Sequence, residues 1–81
     1  MIHDAATAIT LIRLGRGFRA ARTEAGISVS DLSRLSGVSI RTINRLENGS
    51  HDTGVSKVLA LSATIENYER RSAVADAMEG K

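Results

Sequence analysis

Residues 27–49, ISVSDLSRLSGVSIRTINRLENG, constrain the fold of this chain more than any other stretch. They read as two short helices on either side of Gly37. Ser28 is placed to cap the first, expected over residues 29–36, and Ser28 with Asp31 has the spacing of a capping box. Leu32 and Leu35 are expected to point inward. Gly37 closes that helix, Val38 plugs the turn, and Ser39 caps a second helix over 40–47 that ends at Asn48-Gly49.

The second helix sorts its residues by chemistry when it is projected at 100° per residue. Ile43 and Leu46 point one way, with Glu47 beside them. Arg41, Asn44, Arg45 and Asn48 point the other way, at i, i+3, i+4 and i+7. This is the layout of a helix-turn-helix, whose second helix lies in the DNA major groove. Arg can grip guanine O6 and N7, and Asn can grip adenine N6 and N7. The expected base readers are therefore Ile40, Arg41, Asn44 and Arg45. Ile40 sits at the boundary between the faces, where either a thymine methyl or the protein core could receive it. Ser39, Thr42 and Asn48 can supply groups to phosphate oxygens, and so can Ser28 and Ser30 at the N-terminus of the preceding helix, where free N–H groups and the helix dipole favour an anion.

The remaining segments supply a framework. Thr10 is expected to cap a helix ending near Ala25, with Gly26 after it and with Leu11, Leu14, Phe18, Ala21 and Ala25 on one face. Gly15 and Gly17 weaken that helix. Arg13, Arg16 and Arg19 fall on its outer side, whereas Arg22 lies within the apolar face. A charge there is costly unless paired. Glu47 has the same problem, so the two are expected to form a structural ion pair. Asp52 or Thr53 can cap a fourth helix over 54–65, with Val55, Val58, Leu59, Ser62 and Ile65 as its apolar stripe. Residues 66–81 are expected to form a possible fifth helix and dimer contact, with a weak stripe of Ile65, Tyr68, Ser72, Ala75 and Met78. The domain reading is a 1–10 extension, an 11–65 DNA-binding domain and a 66–81 C-terminal segment. The fold class is all-α: a compact bundle of four to five short helices.

Composition agrees with small, closely packed helices. The 81 residues allow one modest core, and its only aromatic residues are Phe18 and Tyr68. The chain has no Pro and no Cys, which removes disulfides, thiolate chemistry and Cys-ligated zinc. The net charge of +2 is unevenly spread. Residues 13–46 carry seven arginines against Glu24 and Asp31, a balance of +5, while residues 47–81 carry four basic residues against six acids, a balance of −2. Arginine suits bidentate contacts with phosphate and guanine.

Other functions find little support in the sequence. The uncharged run 5–12 is too short to span a bilayer and follows Asp4, a poor start for a signal peptide, so a cytoplasmic protein with no membrane partner is expected. His3-Asp4 and His51-Asp52 read as solvated loop residues, not as a metal site. No catalytic arrangement or phosphate-binding glycine loop stands out, so neither an enzyme nor a cofactor is expected. Two classes remain: a sequence-specific DNA-binding regulator, favoured by the hydrogen-bonding face of 40–48, and a module whose main task is holding a partner protein.

The chain resembles the Cro/repressor-type (XRE) helix-turn-helix family over about residues 11–65. The matching elements are Arg22 ahead of Ala25-Gly26-Ile27-Ser28, the small Ser33, Gly37-Val38-Ser39 at the turn, and Ile43 with the ending Leu46-Glu47-Asn48-Gly49. The resemblance implies a lambda-repressor-like five-helix-type fold. It also implies binding to double-stranded DNA as a homodimer, base reading from Arg41, Asn44 and their neighbours, and the Arg22–Glu47 pair. The sequence departs from the family at Val29, where Gln is common, at Ile40, where Gln or Arg is common, and in the 50–54 loop, which lacks the usual Lys, Arg and Pro. The layout is also similar to HipB-type antitoxins, which bind a toxin protein and usually finish with a short hydrophobic strand; residues 66–71 are charged here.

Overall fold

The computed structural model describes residues 5–49 and 53–80. Four helices make up this part of the chain: α1 (Ala5–Ala25), α2 (Val29–Ser36), α3 (Ile40–Asn48) and α4 (Val55–Gly80). Phe18, Ile27, Leu32, Val38, Ile43, Leu46, Leu61 and Ile65 form one buried core. Leu32, Ile43, Leu46 and Leu61 are fully enclosed.

Local signals set the two central helices. The Ser28 hydroxyl accepts from the Asp31 N–H at 3.0 Å, and the Ser39 hydroxyl accepts from the Thr42 N–H at 3.1 Å. Gly37 (φ 79°) and Gly49 (φ 67°) end α2 and α3 in the left-handed region, where a Cβ is disfavoured. The Asp31 carboxylate of the expected capping box accepts from Arg34 at 3.3 Å.

The outer helices differ from expectation. α1 starts at Ala5, so residues 5–10 belong to the helix and Thr10 lies inside it. The Thr10 hydroxyl donates to the Ala6 carbonyl at 2.9 Å, the back-bond a mid-helix threonine makes when it is not needed as a cap. Leu14 is 45% exposed because the core meets α1 along Leu11, Gly15, Phe18 and Arg22. Leu35 is also 45% exposed, and Leu32 alone anchors α2 fully.

The expected fourth and fifth helices are a single helix, α4. No Gly or Pro interrupts residues 55–79, and an internal turn would break backbone hydrogen bonds for no packing gain. Its buried face is Leu61, Ile65 and Tyr68, at i, i+4 and i+7, not the stripe through Val55, Leu59 and Ser62; Val55 is 74% and Leu59 63% exposed. Ser72, Ala75 and Met78 are exposed as well. Thr53 does not cap α4. It is buried, its hydroxyl has no hydrogen-bond partner among the described residues, and the Gly54 carbonyl accepts from the Lys57 and Val58 N–H groups. Asp52, the other candidate cap, lies outside the described residues, as do His3 and His51. At 1.5 Å per residue, α4 is roughly 39 Å long. It gives the chain its long axis of 53 Å, against 22 and 17 Å across.

Candidate nucleic-acid interface

α3 is held by its inner face and open on its outer face. Ile43 and Leu46 are 0% and 2% exposed. Arg41, Asn44 and Asn48 are exposed, and Arg45 is half-buried. Ile40 is 47% exposed, so it belongs to the outer rim rather than to the core. The turn from α2 presents this outer face, because Val38 is buried in the core and Ser39 starts α3 directly after it.

The orientation of α3 is fixed by α1. A Cβ on Gly15 would meet the backbone carbonyl oxygen of Leu46 and lie 2.8 Å from that of Glu47, so only glycine permits this approach. Gly49 makes a similar contact with Ile12, whose Cα would lie 2.7 Å from a Cβ there. The sequence carried a partial signal for the first contact: a glycine in a helix interior is costly, and at Gly15, though not at Gly17, a close neighbour accounts for it. Which neighbour it served required the tertiary structure.

One turn of helix beyond Phe18, Arg22 ties three segments together. Its Nε donates to Glu47 Oε2 at 2.6 Å and its Nη2 to Glu47 Oε1 at 3.1 Å, a two-pronged charge-assisted contact. Its Nη1 donates to the Ile27 carbonyl at 3.0 Å. The side chains of Arg22 and Glu47 are 11% and 7% exposed. The Glu47 hydrogen bond holds the Arg22 guanidinium above its ordinary range, against the opposing effect of burial. The pair fastens the end of α3 to α1, and the Ile27 contact fastens the approach to α2. The Ile27 side chain is itself a core residue that the periodicity of the flanking helices did not single out.

Ser28 and Ser30 are exposed at the start of α2, where the N–H groups of Val29 and Ser30 precede the first helical bond, from the Leu32 N–H to the Ser28 carbonyl. Ser39 also donates its hydroxyl proton to Thr42 Oγ1 at 2.9 Å. With that bond formed, Thr42 rather than Ser39 keeps a hydroxyl proton to offer.

Residues 18–71 match the family model described as helix-turn-helix, of the Cro/C1 (XRE) type, which covers two thirds of the chain. The chain belongs to this family. Neither curated proteins nor solved structures give a match. As a Cro/C1-type helix-turn-helix protein it is a DNA-binding transcription regulator, of a family that is regulatory rather than catalytic. α2 and α3 are the two helices after which this family is named. Among the described residues no helix is long and apolar enough to cross a membrane.

Proposed function

We propose that the protein is a sequence-specific repressor that binds an inverted-repeat operator as a homodimer, with α3 of each copy in the major groove. The observation that carries this reading is the division of α3. Ile43 and Leu46 are locked into the core while Arg41, Asn44 and Asn48 stand exposed on the opposite side. Arg41, Asn44, Arg45 and Ile40 read base edges, the first two as bidentate hydrogen-bonding groups. Ser28, Ser30, Ser39, Thr42 and Asn48 line the phosphate backbone.

Two half-sites read by two identical helices call for a second copy. The exposed pair Val55 and Leu59 supports a dimer contact on the first turns of α4. They follow α3 closely in sequence, so self-association there would hold two copies of α3 in one assembly. The alternative, an antitoxin that holds a toxin and autoregulates its operon, has less support, because the chain continues past residue 65 as helix and not as a closing hydrophobic strand. DNase footprinting on the gene's own upstream region tests the repressor reading. Protection of two half-sites on one face of the duplex, with centres about 34–36 Å apart, is expected. Protection of one unrepeated site contradicts the dimer.

A further inference from the structure

α1 meets the C-terminal turn of α3 over a definite arc. Gly15 faces the Leu46 and Glu47 carbonyls, Ile12 lies against Gly49, and Arg22 reaches the Glu47 carboxylate. At 100° per residue Arg19 falls inside that arc, about 40° round from Gly15 and about 20° short of Ile12. Along the helix it stands about one turn from Gly15 and one turn from Arg22. The apolar pattern of α1 puts Arg19 on the outer side. The packing of Gly15 and Arg22 turns the inward face of the helix toward it, and yet its side chain is exposed.

No acid among the described residues neutralises this arginine. Its side chain makes no ion pair or hydrogen bond there. Glu47, the acid of the facing helix, gives both carboxylate oxygens to Arg22. Glu24, the one acid of α1, lies about 140° round from Arg19. Asp31 is held by Arg34. Arg13 is equally exposed, but it lies about 160° from Gly15, on the side of α1 away from α3. The two arginines therefore share a helix and a charge and differ in direction.

A helix with its side chains is about 10–12 Å across and the major groove about 12 Å wide, so a helix in the groove has a phosphate ridge along each side. Asn48, a proposed phosphate contact, sits in the chain between Glu47 and Gly49, the residues that touch α1. We propose that Arg19 grips a backbone phosphate on the ridge beside the C-terminal turn of α3, next to Asn48. This contact rests on the placement of α3 in the groove. The guanidinium offers two parallel N–H donors to one phosphate, and the grip fixes the register of α3 on the duplex without reading a base. The phosphate-binding set then extends to α1, outside the two helices of the motif.

The test titrates full-chain Arg19→Ala, Arg19→Lys and Arg13→Ala against the operator and random duplex DNA over a range of salt. Arg19→Ala should bind both DNAs about five- to tenfold more weakly, with a salt slope shallower by about 1. Arg19→Lys should keep the slope and recover part of the affinity. Arg13→Ala should change affinity by less than about twofold, because an exposed charge away from the duplex is screened. Neutral methylphosphonates placed singly along the operator locate the contact. One position should cost the unaltered chain as much as Arg19→Ala does, and cost that variant nothing further. Circular dichroism should show every variant folded, since both arginines are exposed. An unchanged Arg19→Ala, equal losses in Arg13→Ala and Arg19→Ala, or a loss confined to the operator overturns the proposal. So does the lack of any methylphosphonate position whose cost disappears in Arg19→Ala. Arg41→Ala, measured beside them, separates the two claims. An operator-selective loss there with an unchanged Arg19→Ala sinks the Arg19 contact alone, whereas an equal loss on both DNAs removes the placement of α3 on which it rests.

Discussion

Gly15 in α1 is packed against the main chain of α3 so closely that a methyl group on it would lie 2.8 Å from the Glu47 carbonyl oxygen. Two residues on, a methyl group on Gly17 would meet nothing within 4 Å. The same substitution in the same helix therefore has opposite consequences. Gly17→Ala should stabilise by up to about 1 kcal/mol, the difference in helix propensity. Gly15→Ala gains that propensity but pushes α3 away from α1, and a net loss of about 1–3 kcal/mol is expected, as in other overpacked sites. Urea unfolding of both variants checks the pair. Two stabilised proteins would mean that α1 and α3 do not approach as described.

The Arg22–Glu47 contact should act as one unit. Either single alanine leaves a nearly buried charge without its partner and should cost about 3–5 kcal/mol. The double replacement should cost less than the two losses added. A double-mutant cycle in urea measures the coupling, and strict additivity would mean that the pair contributes nothing as a pair. The pH dependence has a definite sign. Because the folded Arg22 pKa is raised, its contribution is fully present below the ordinary guanidinium pKa and is lost only as pH rises through the folded value. Comparing Arg22→Ala with the parent through the neutral range should show no Arg22-dependent loss on the alkaline side.

Self-association can be separated from folding at Leu59. This side chain is 63% exposed, so Leu59→Asp should leave the thermal transition of the monomer nearly unchanged. It should shift sedimentation toward the monomer and weaken operator binding in parallel. A dimer of undiminished affinity would place the contact elsewhere.

What could be read from the sequence was what short-range chemistry decides. Ser28, Gly37, Ser39 and Gly49 each cap or stop a helix through contacts within a few residues, and α2 and the start of α3 were legible for that reason. The two faces of α3 were legible because nine residues carry strongly opposed chemistries. The phase of α4 was not. Leu59 and Leu61 are equally apolar, and only the position of α1 and α2 decides that Leu61 is enclosed while Leu59 is left in the open. Thr10 failed as a cap signal because nothing after residue 4 forces α1 to begin there. Gly15 was visible as an anomaly, but its reason lay across the fold in the carbonyls of Leu46 and Glu47. The site residues thus came from local patterning, and the contacts that aim them came from packing.

The central claim is that α3 reads sequence, and Arg41 tests it most directly. The measurement is a titration of Arg41→Ala against the operator and against random duplex DNA at one fixed salt concentration, beside Asn48→Ala as the phosphate-facing control. The account predicts a loss of about 1–3 kcal/mol on the operator for Arg41→Ala with little change on random DNA, and a similar loss on both for Asn48→Ala. If Arg41→Ala lowers both affinities by the same factor, Arg41 grips the backbone, and the placement of α3 in the groove is wrong.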